Sequence, residues 1–186
     1  MSAPSSATVG GASLPALHHE KQTRMHCALH ATNAILQAPP FFTAADFDAL
    51  ARGVDAAEAA VGVPRPLLFS PHKVPLLGVW SIEVVLAALA ARGLEATHYP
   101  SPAAGAPERP GVAAFLLSRA AGGLSGYLGG RHFIALAPVG GVWHNFDSQL
   151  DAPRVIGGGA LADVLRLLAA EPASSQPLLV ARRPGA

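Results

Sequence analysis

Apolar residues recur at helical spacing in two early segments of the chain, and both segments end at residues that stop helices. The first predicts a helix over 27–37, because Pro39-Pro40 cannot continue a helix. The second begins at Thr43, which forms a capping-box pattern with Asp46, and its apolar spacing stops at Gly53. The sequence therefore predicts two consecutive helices near the N-terminus.

Two further helices are predicted later in the chain. Residues 82–92 are apolar around most of the helix circumference between Ser81 and Gly93, which is typical of a core helix. Residues 160–170 have one apolar face, which predicts an amphipathic helix. Residues 55–78 begin with an Ala-rich stretch that can form one or two further helical turns, and a cluster of prolines follows, so we expect an irregular excursion between the second and third helices.

Short apolar runs bounded by turn residues predict strands in the second half of the chain. These runs lie at 94–99, 112–117, 132–139, 142–147 and 178–181. The stretches 101–110 and 122–130, rich in turn-forming residues, are predicted to be loops. Because most of the helices precede most of the strands, the pattern predicts the α+β fold class.

One connection between strands predicts a specific register. The sequence Val-Gly-Gly-Val at 139–142 is typical of a two-residue hairpin turn, whose central positions both take positive φ. If the two valines face each other, the antiparallel register places His132 opposite Gln149, with Asp147 as its diagonal neighbour on the same face. Diagonal neighbours lie about 7–8 Å apart, which polar side chains can span. We therefore expect the imidazole of His132 to lie beside the carboxylate of Asp147.

Length and composition narrow the class of protein. With 186 residues the chain fits one domain, and we expect a flexible tail at 1–16 followed by a single domain at 17–186. Hydrophobic residues make up 51%, and 13 Lys and Arg balance 12 Asp and Glu, which argues against disorder and against nucleic-acid binding. No apolar run approaches the roughly 18 residues of a membrane helix, so no integral membrane segment is expected. We expect a monomer.

The N-terminal segment and the cysteine content bear on the cellular compartment. Residues 1–17 contain no Lys or Arg and no continuous apolar stretch, unlike a secretory signal peptide. The chain has 1 Cys, so no internal disulfide can form and a reducing compartment is expected. We expect a cytoplasmic location, with plastid targeting by the Ser-containing, acid-free tail as the alternative.

Two interpretations are open for the single cysteine, Cys27, which is predicted in the first turn of a helix. An isolated cysteine is most often a small buried hydrophobic residue. Alternatively it is a thiolate nucleophile, favoured by the helix N-terminus and a nearby imidazolium. Taken singly, His132 can be an exposed strand residue and Asp147 a residue that ends a strand. Their predicted contact and the chain order Cys, His, acid favour the site of a thiol hydrolase.

Further blocks of sequence surround these three residues. The early blocks are His19-Glu20-Lys21-Gln22, Cys27-Ala28-Leu29-His30, Asn33 and Leu36-Gln37. The later blocks are Ser70-Pro71-His72-Lys73, Leu77-Gly78, Trp80-Ser81-Ile82-Glu83-Val84-Val85, His132-Phe133-Ile134 and Trp143-His144-Asn145-Phe146-Asp147-Ser148. In this order, over roughly residues 18–180, they resemble the Josephin domain, a papain-like fold of ubiquitin-specific cysteine proteases, and above all its short members.

The resemblance implies a fold and a reaction. The implied fold is α+β and papain-like, with an N-terminal helical part that carries the cysteine packed on an antiparallel sheet that carries the His and Asp. The implied reaction is hydrolysis of isopeptide or peptide bonds at the C-terminus of ubiquitin. Ubiquitin and ubiquitinated proteins are therefore the implied partners, and no cofactor is expected.

The resemblance also implies site residues. The nucleophile of the family falls on Cys27, its general base on His132 and its third triad residue on Asp147. The glutamine of the family falls on Gln22, five residues before the nucleophile. Its side-chain amide and the backbone N–H of Cys27 are implied as the oxyanion hole.

The chain departs from the family pattern in two places. It has Asn33-Ala34 where the family commonly has two asparagines, and it lacks a longer Gly- and Asn-containing stretch after Leu77-Gly78. Neither departure touches the implied site residues. By resemblance, residues 43–78 contain a helical arm that gates the cleft, so both departures bear on substrate binding.

Three rival interpretations stay open. A metal site is suggested by five clustered residues, but no second ligand pair follows at a recognised spacing, and His30 is better explained as a packed helix residue. The five residues are His18, His19, His26, Cys27 and His30. A ubiquitin-binding module of the same fold without catalysis is the second rival, although binding alone does not need the full set of implied catalytic residues. The third is another cysteine acyl-enzyme, such as a transglutaminase, which differs in its acceptor.

Overall fold

The computed structural model of the chain describes most of its residues. They are 8–9, 12–13, 16–64, 70–74, 77–99, 112–121, 130–172 and 174–182. The predicted loop at 101–110 lies outside these residues, as does the predicted loop at 122–130 except for Gly130.

Four helices occur in the described residues, and each corresponds to a predicted one. They are α1 (Cys27–Leu36), α2 (Ala44–Ala60), α3 (Ile82–Ala90) and α4 (Leu161–Ala169). Helix α1 is buried from Cys27 to Ile35, and it ends where Gln37 takes a φ of 51°. Its alanines leave little bulk between the helix and the sheet, so the backbone of α1 can lie close to its neighbours.

Helix α2 is longer than the sequence predicts, because it does not end at Gly53. A glycine inside a helix costs about 1 kcal/mol relative to alanine, but an Ala-rich segment follows it and the helix continues to Ala60. Phe47 and Ala51 before the glycine and Asp55 after it are buried on one face of α2, which anchors the helix on both sides of the glycine. The predicted capping box of Thr43 and Asp46 is confirmed.

The first residues of the predicted irregular excursion over 55–78 therefore belong to α2, which agrees with the further helical turns that the Ala-rich stretch can form. Beyond α2, the buried His72 ties the following turn to two helices. Its Nε2 lies 2.9 Å from Oε2 of Glu58 at the end of α2, and its Nδ1 lies 2.9 Å from Oγ of Ser81, which precedes α3. Residues 65–69 and 75–76 of this segment lie outside the described part of the chain.

The strands include all five that the sequence predicts. They are β1 (Thr8–Val9), β2 (Ala12–Ser13), β3 (Lys73–Val74), β4 (Val79–Trp80), β5 (Leu94–His98), β6 (Val112–Ala120), β7 (Arg131–Val139), β8 (Val142–Phe146), β9 (Arg154–Val155) and β10 (Gln176–Arg182). The predicted strands correspond to β5–β8 and β10. The other five have two residues each, too few to show an alternating pattern, and β1 and β2 form a small hairpin within the predicted tail.

Six strands form the main sheet in the order β5-β10-β6-β7-β8-β9, and every neighbouring pair is antiparallel. The predicted hairpin register is confirmed: Val139 pairs with Val142, and the ladder continues to Ala135 opposite Phe146. Gly140 and Gly141 take φ values of 58° and 81°, as this turn requires.

Alternate residues of the strands face two separate apolar clusters, so helices cover both faces of the sheet. On β7, Phe133 and Ala135 pack with α1 and α3, whereas Ile134 and Leu136 pack with α4. The first cluster also includes Phe47 of α2. The predicted α+β architecture, with the N-terminal helices packed on an antiparallel sheet, is confirmed. No helix in the described parts of the chain is both long and apolar enough to cross a membrane.

Candidate active site

Cys27 is the first residue of α1, and the packing of this helix on β7 brings the thiol to the start of that strand. The side chain is buried, with 7% of the residue exposed. Its Sγ lies 3.8 Å from the carbonyl oxygen of Arg131 and 4.0 Å from that of Met25. The thiol is therefore held between the turn before α1 and the first residue of β7.

His132 follows Arg131 on β7 and is buried beside the thiol. Its Nε2 lies 2.7 Å from Oδ1 of Asp147, as the hairpin register predicts, and the Cys27 side chain is near enough to raise the pKa of the ring. Because Nε2 bonds to Asp147, Nδ1 is the ring nitrogen that remains for the sulfur atom. The imidazole thus lies between the thiol and the carboxylate.

The surroundings of His132 favour its protonated form. Burial alone lowers the pKa of His132, but the hydrogen bond to Asp147, the hydrogen bond to Cys27 and the charges of both outweigh it and raise the pKa to about 9. At neutral pH the ring is therefore an imidazolium. A cation in this position stabilises a thiolate and can later supply a proton.

Asp147 follows the last residue of β8, and backbone and side-chain contacts fix its carboxylate. The backbone N–H of Gln149 donates to Oδ1 of Asp147 over 2.9 Å, and the N–H of Asp147 donates to Oδ1 of Asn145 over 2.9 Å. Burial raises the pKa of Asp147, but its bonds to His132 and to the Gln149 N–H outweigh burial and lower it. The carboxylate stays charged and orients the imidazole.

Gln22 lies against the residue that follows Asp147. The backbone N–H of Gln22 donates to the carbonyl of Ser148 over 2.7 Å, and its side-chain Oε1 accepts a hydrogen bond from Oγ of Ser148 over 3.2 Å. Its Nε2 donates to the carbonyl of Arg24 over 3.1 Å. That amide nitrogen carries two hydrogens, and this contact uses one of them. The pairing of Gln22 with the N–H of Cys27 around an oxyanion stays a prediction.

Glu20 has a structural role that our sequence interpretation missed. Its carboxylate lies 2.5 Å from Nδ1 of His30 and 3.0 Å from Nε2 of His18, and it accepts a hydrogen bond from Nδ2 of Asn33 over 3.2 Å. Burial raises the pKa of Glu20, but the bonds to His30 and its other partners prevail and lower it. The carboxylate therefore anchors the segment before Gln22 to α1, and His30 is packed in the helix as predicted.

The same segment also contacts the residues that follow Asp147. Nε2 of His19 lies 3.0 Å from the carbonyl of Leu150, and Lys21 forms an ion pair with Asp151. We refer to residues 18–22 as the strap, because its contacts join α1, which begins with Cys27, to the segment after Asp147. The sequence gives no local signal of this arrangement, because the contacts join the strap to residues that are distant along the chain.

A pocket of about 320 Å³ reaches the start of β7. Arg131, whose carbonyl contacts Cys27, lines it together with Gly130, Trp80, Ile82 and Phe133. In the described parts of the chain, no group of three or more His, Cys, Asp or Glu side chains is arranged to hold a metal ion. A thiol, a protonated imidazole and a carboxylate beside a largely apolar pocket can perform nucleophilic acyl transfer.

Comparisons with known proteins agree on one family. The Josephin family model matches residues 22–175. Josephin-2 of Homo sapiens is 33% identical over 150 residues, which cover 77% of this chain and 74% of that protein. An ataxin-3 homolog of Arabidopsis thaliana is 34% identical over 148 residues, covering 74% of this chain and 50% of that protein. The chain therefore belongs to the Josephin family, whose members are deubiquitinases.

Proposed function

We propose that this protein is a cysteine deubiquitinase that hydrolyses isopeptide or peptide bonds at the C-terminus of ubiquitin. One observation carries the proposal: the imidazole of His132 bonds to the Asp147 carboxylate beside the buried Cys27 thiol, whose Sγ contacts the carbonyl of the preceding residue, Arg131. A cysteine kept only for packing has no need of a charged histidine–carboxylate pair beside it, since a buried ion pair is costly to assemble. Membership of a deubiquitinase family supports ubiquitin as the substrate.

The first half of the proposed reaction forms a thioester. The Cys27 thiolate attacks the carbonyl carbon of the terminal glycine of ubiquitin, and the carbonyl electrons move to oxygen to give a tetrahedral oxyanion. When the oxyanion collapses, the C–N bond breaks and the imidazolium of His132 donates its proton to the leaving amine. The products of this half are the free amine and a ubiquitin thioester on Cys27.

The second half releases ubiquitin. Neutral His132 removes a proton from a water molecule, whose oxygen attacks the thioester carbonyl. The second tetrahedral intermediate collapses with loss of the Cys27 thiolate, which restores the thiolate–imidazolium pair. Asp147 keeps the ring in one orientation through both halves, because its carboxylate stays bonded to Nε2.

Two N–H donors are proposed to stabilise both oxyanions. Cys27 is the first residue of α1, so its backbone N–H has no acceptor within the helix. The amide of Gln22 supplies the second donor, since its contact with Arg24 leaves one hydrogen of Nε2 for the substrate. A donor placed this way contributes about 3–4 kcal/mol to the transition state.

The pocket beside Arg131 is proposed to hold the end of the ubiquitin chain that leads to the bond being cleaved. It starts at the residue that contacts Sγ and is lined by apolar side chains such as Trp80 and Phe133. Because Arg131 both lines the pocket and contacts Sγ, a peptide bound there is proposed to reach the thiol from this side.

The test is hydrolysis of a ubiquitin C-terminal fluorogenic amide by the wild-type protein and by Cys27→Ala, which removes only the sulfur. We expect the wild type to turn over and the variant to lose at least about 1,000-fold in kcat. A ubiquitin-based thiol-reactive probe should label Cys27 in the wild type, and a short peptide amide without ubiquitin serves as the substrate control. If the wild type neither turns over nor reacts with the probe, but binds ubiquitin, the protein is a binding module instead.

A further inference from the structure

Ser148 is a buried residue, 1% exposed, that lies between the proposed triad and the proposed oxyanion donor. It follows Asp147 directly in the chain and contacts Gln22 at two points. Its carbonyl accepts the backbone N–H of Gln22 over 2.7 Å, and its hydroxyl donates to Oε1 of Gln22 over 3.2 Å. A single residue therefore touches both the main chain and the side chain of Gln22.

The two ends of the Gln22 amide have different partners, and these partners fix its orientation. The carbonyl of Arg24 can only accept hydrogen bonds, so it requires Nε2 on its side. The flipped amide would set Oε1 against that carbonyl, and two acceptors repel each other. The Ser148 hydroxyl holds the opposite end, Oε1, and thereby limits rotation about the last side-chain bond of Gln22, a torsion that is otherwise broad.

We propose that Ser148 is a positioning residue for the reaction: its hydroxyl holds the Gln22 amide with Nε2 toward the turn that leads into Cys27. This inference rests on the proposed function, in which Nε2 donates to the oxyanion. It assigns Ser148 no contact with the substrate. The effect on catalysis arises through Gln22 alone.

Ser148→Ala isolates the hydroxyl, because the backbone contact between the two residues remains. A neutral hydrogen bond contributes about 1 kcal/mol, so we expect kcat for the ubiquitin amide to fall about fivefold with KM unchanged. In Ser148→Thr, which keeps a hydroxyl, kcat should stay closer to the wild-type value than in Ser148→Ala. Ser175→Ala is the matched control: Ser175 is also buried and its hydroxyl donates to a carboxylate, Glu171.

A double-mutant cycle separates positioning from a general loss of structure. Once Gln22→Ala has removed the amide, Ser148→Ala should cause no further loss of kcat. If instead the two losses multiply, or if Ser175→Ala lowers kcat as much as Ser148→Ala does, Ser148 does not act through Gln22 and the proposal is overturned.

The side-chain amide of Gln22 gives a second readout that needs no substrate. In ¹⁵N-labelled protein its two hydrogens are identified by their loss in Gln22→Ala. We expect their signals to move and their exchange with water to quicken in Ser148→Ala but not in Ser175→Ala. Unchanged signals in Ser148→Ala overturn the positioning role, even if the wild type hydrolyses ubiquitin amides. A wild type without turnover overturns the proposed function, while the amide signals still decide the role of Ser148.

Discussion

Asp147 determines, at the scale of a single residue, which form of His132 is present at neutral pH. Burial on its own lowers the pKa of the ring, which would leave it neutral. The contact of 2.7 Å with Asp147, together with Cys27, reverses this and raises the pKa to about 9. In the proposed reaction, the proton that the leaving amine needs is therefore already on the ring before the substrate binds.

The pH profile tests this arrangement. Because the raised pKa keeps the proton on His132 up to about pH 9, we expect kcat/KM for the ubiquitin amide to fall on the alkaline side only as the pH rises through that value. Asp147→Asn keeps a polar group of the same size but removes the charge. The alkaline fall should therefore move to lower pH, and activity at neutral pH should decrease.

Asp151→Asn is the matched control for this prediction, since Asp151 is an exposed carboxylate that pairs with Lys21. We expect its profile to follow that of the wild type. An alkaline limb at the same pH in wild type and Asp147→Asn would show that the charge of Asp147 does not hold the proton on His132.

Part of the candidate site follows from the sequence and part does not. The contact of His132 with Asp147 is predictable because a two-residue turn fixes the register, and the register fixes which side chains are neighbours. The contacts of Glu20 and Ser148 are not predictable in this way. They depend on how the strap packs against α1 and the segment after Asp147, and no local pattern encodes that packing.

At the scale of elements, α2 shows how tertiary packing overrides a local helix signal. The low helix propensity of glycine predicts that the helix ends at Gly53. However, Phe47 and Ala51 before it and Asp55 after it are all buried on one face. Burial of that face continues the helix through the glycine. The helix instead ends near Gly62, which has a φ of 79°.

Gly53→Ala should stabilise the protein by roughly 0.5–1 kcal/mol, because alanine favours the helix and restricts the unfolded chain. Among the described residues, apart from the chain neighbours and the backbone of the helix itself, no heavy atom lies within 4 Å of the position that a Cβ would take at Gly53. Urea unfolding of wild type and variant measures the difference, and activity should not change.

Gly78→Ala is the matched comparison, and it should lower the free energy of unfolding instead of raising it. Gly78 has a φ of 69°, and a Cβ there would lie 2.2 Å from the ring of His26, which precedes α1. We expect a clear loss of stability. A Gly53→Ala protein that unfolds at lower urea than the wild type would contradict our explanation of α2.

At the scale of the whole molecule, the proposed reaction needs the helical layer and the sheet to keep a fixed distance and orientation. The thiol belongs to a helix, whereas His132 and Asp147 belong to the sheet and the segment that follows it. Apolar packing of α1 on β7 sets the distance between the layers. The strap adds polar contacts to both layers, which join the segment of Gln22 to α1 and to the residue after Asp147.

The α+β class could be predicted because the apolar periods of helices and strands are local properties of the sequence. The order of strands in the sheet could not. Strand β10 lies between β5 and β6 although it comes last in the chain, and only contacts between distant segments determine that position. The contacts of the strap could not be predicted either, since they join the strap to residues that are distant in sequence.

Glu20→Gln tests whether the strap joins the two layers. The variant keeps the size of the side chain but removes the charge that meets His30 and His18. Hydrogen bonds to a charged group contribute about 1.5–3 kcal/mol, so we expect a loss of this order in the free energy of unfolding at neutral pH. The pKa of Glu20 is lowered, so its contribution is present above about pH 4.5 and is lost as the pH falls. The difference between wild type and variant should therefore shrink in acid.

Glu95→Gln, at an exposed position on β5, is the control and should unfold like the wild type. Because Gln22 lies two residues from Glu20, kcat for the ubiquitin amide should also fall in Glu20→Gln. Unchanged stability and kcat in Glu20→Gln would mean that apolar packing alone fixes the position of α1 on the sheet.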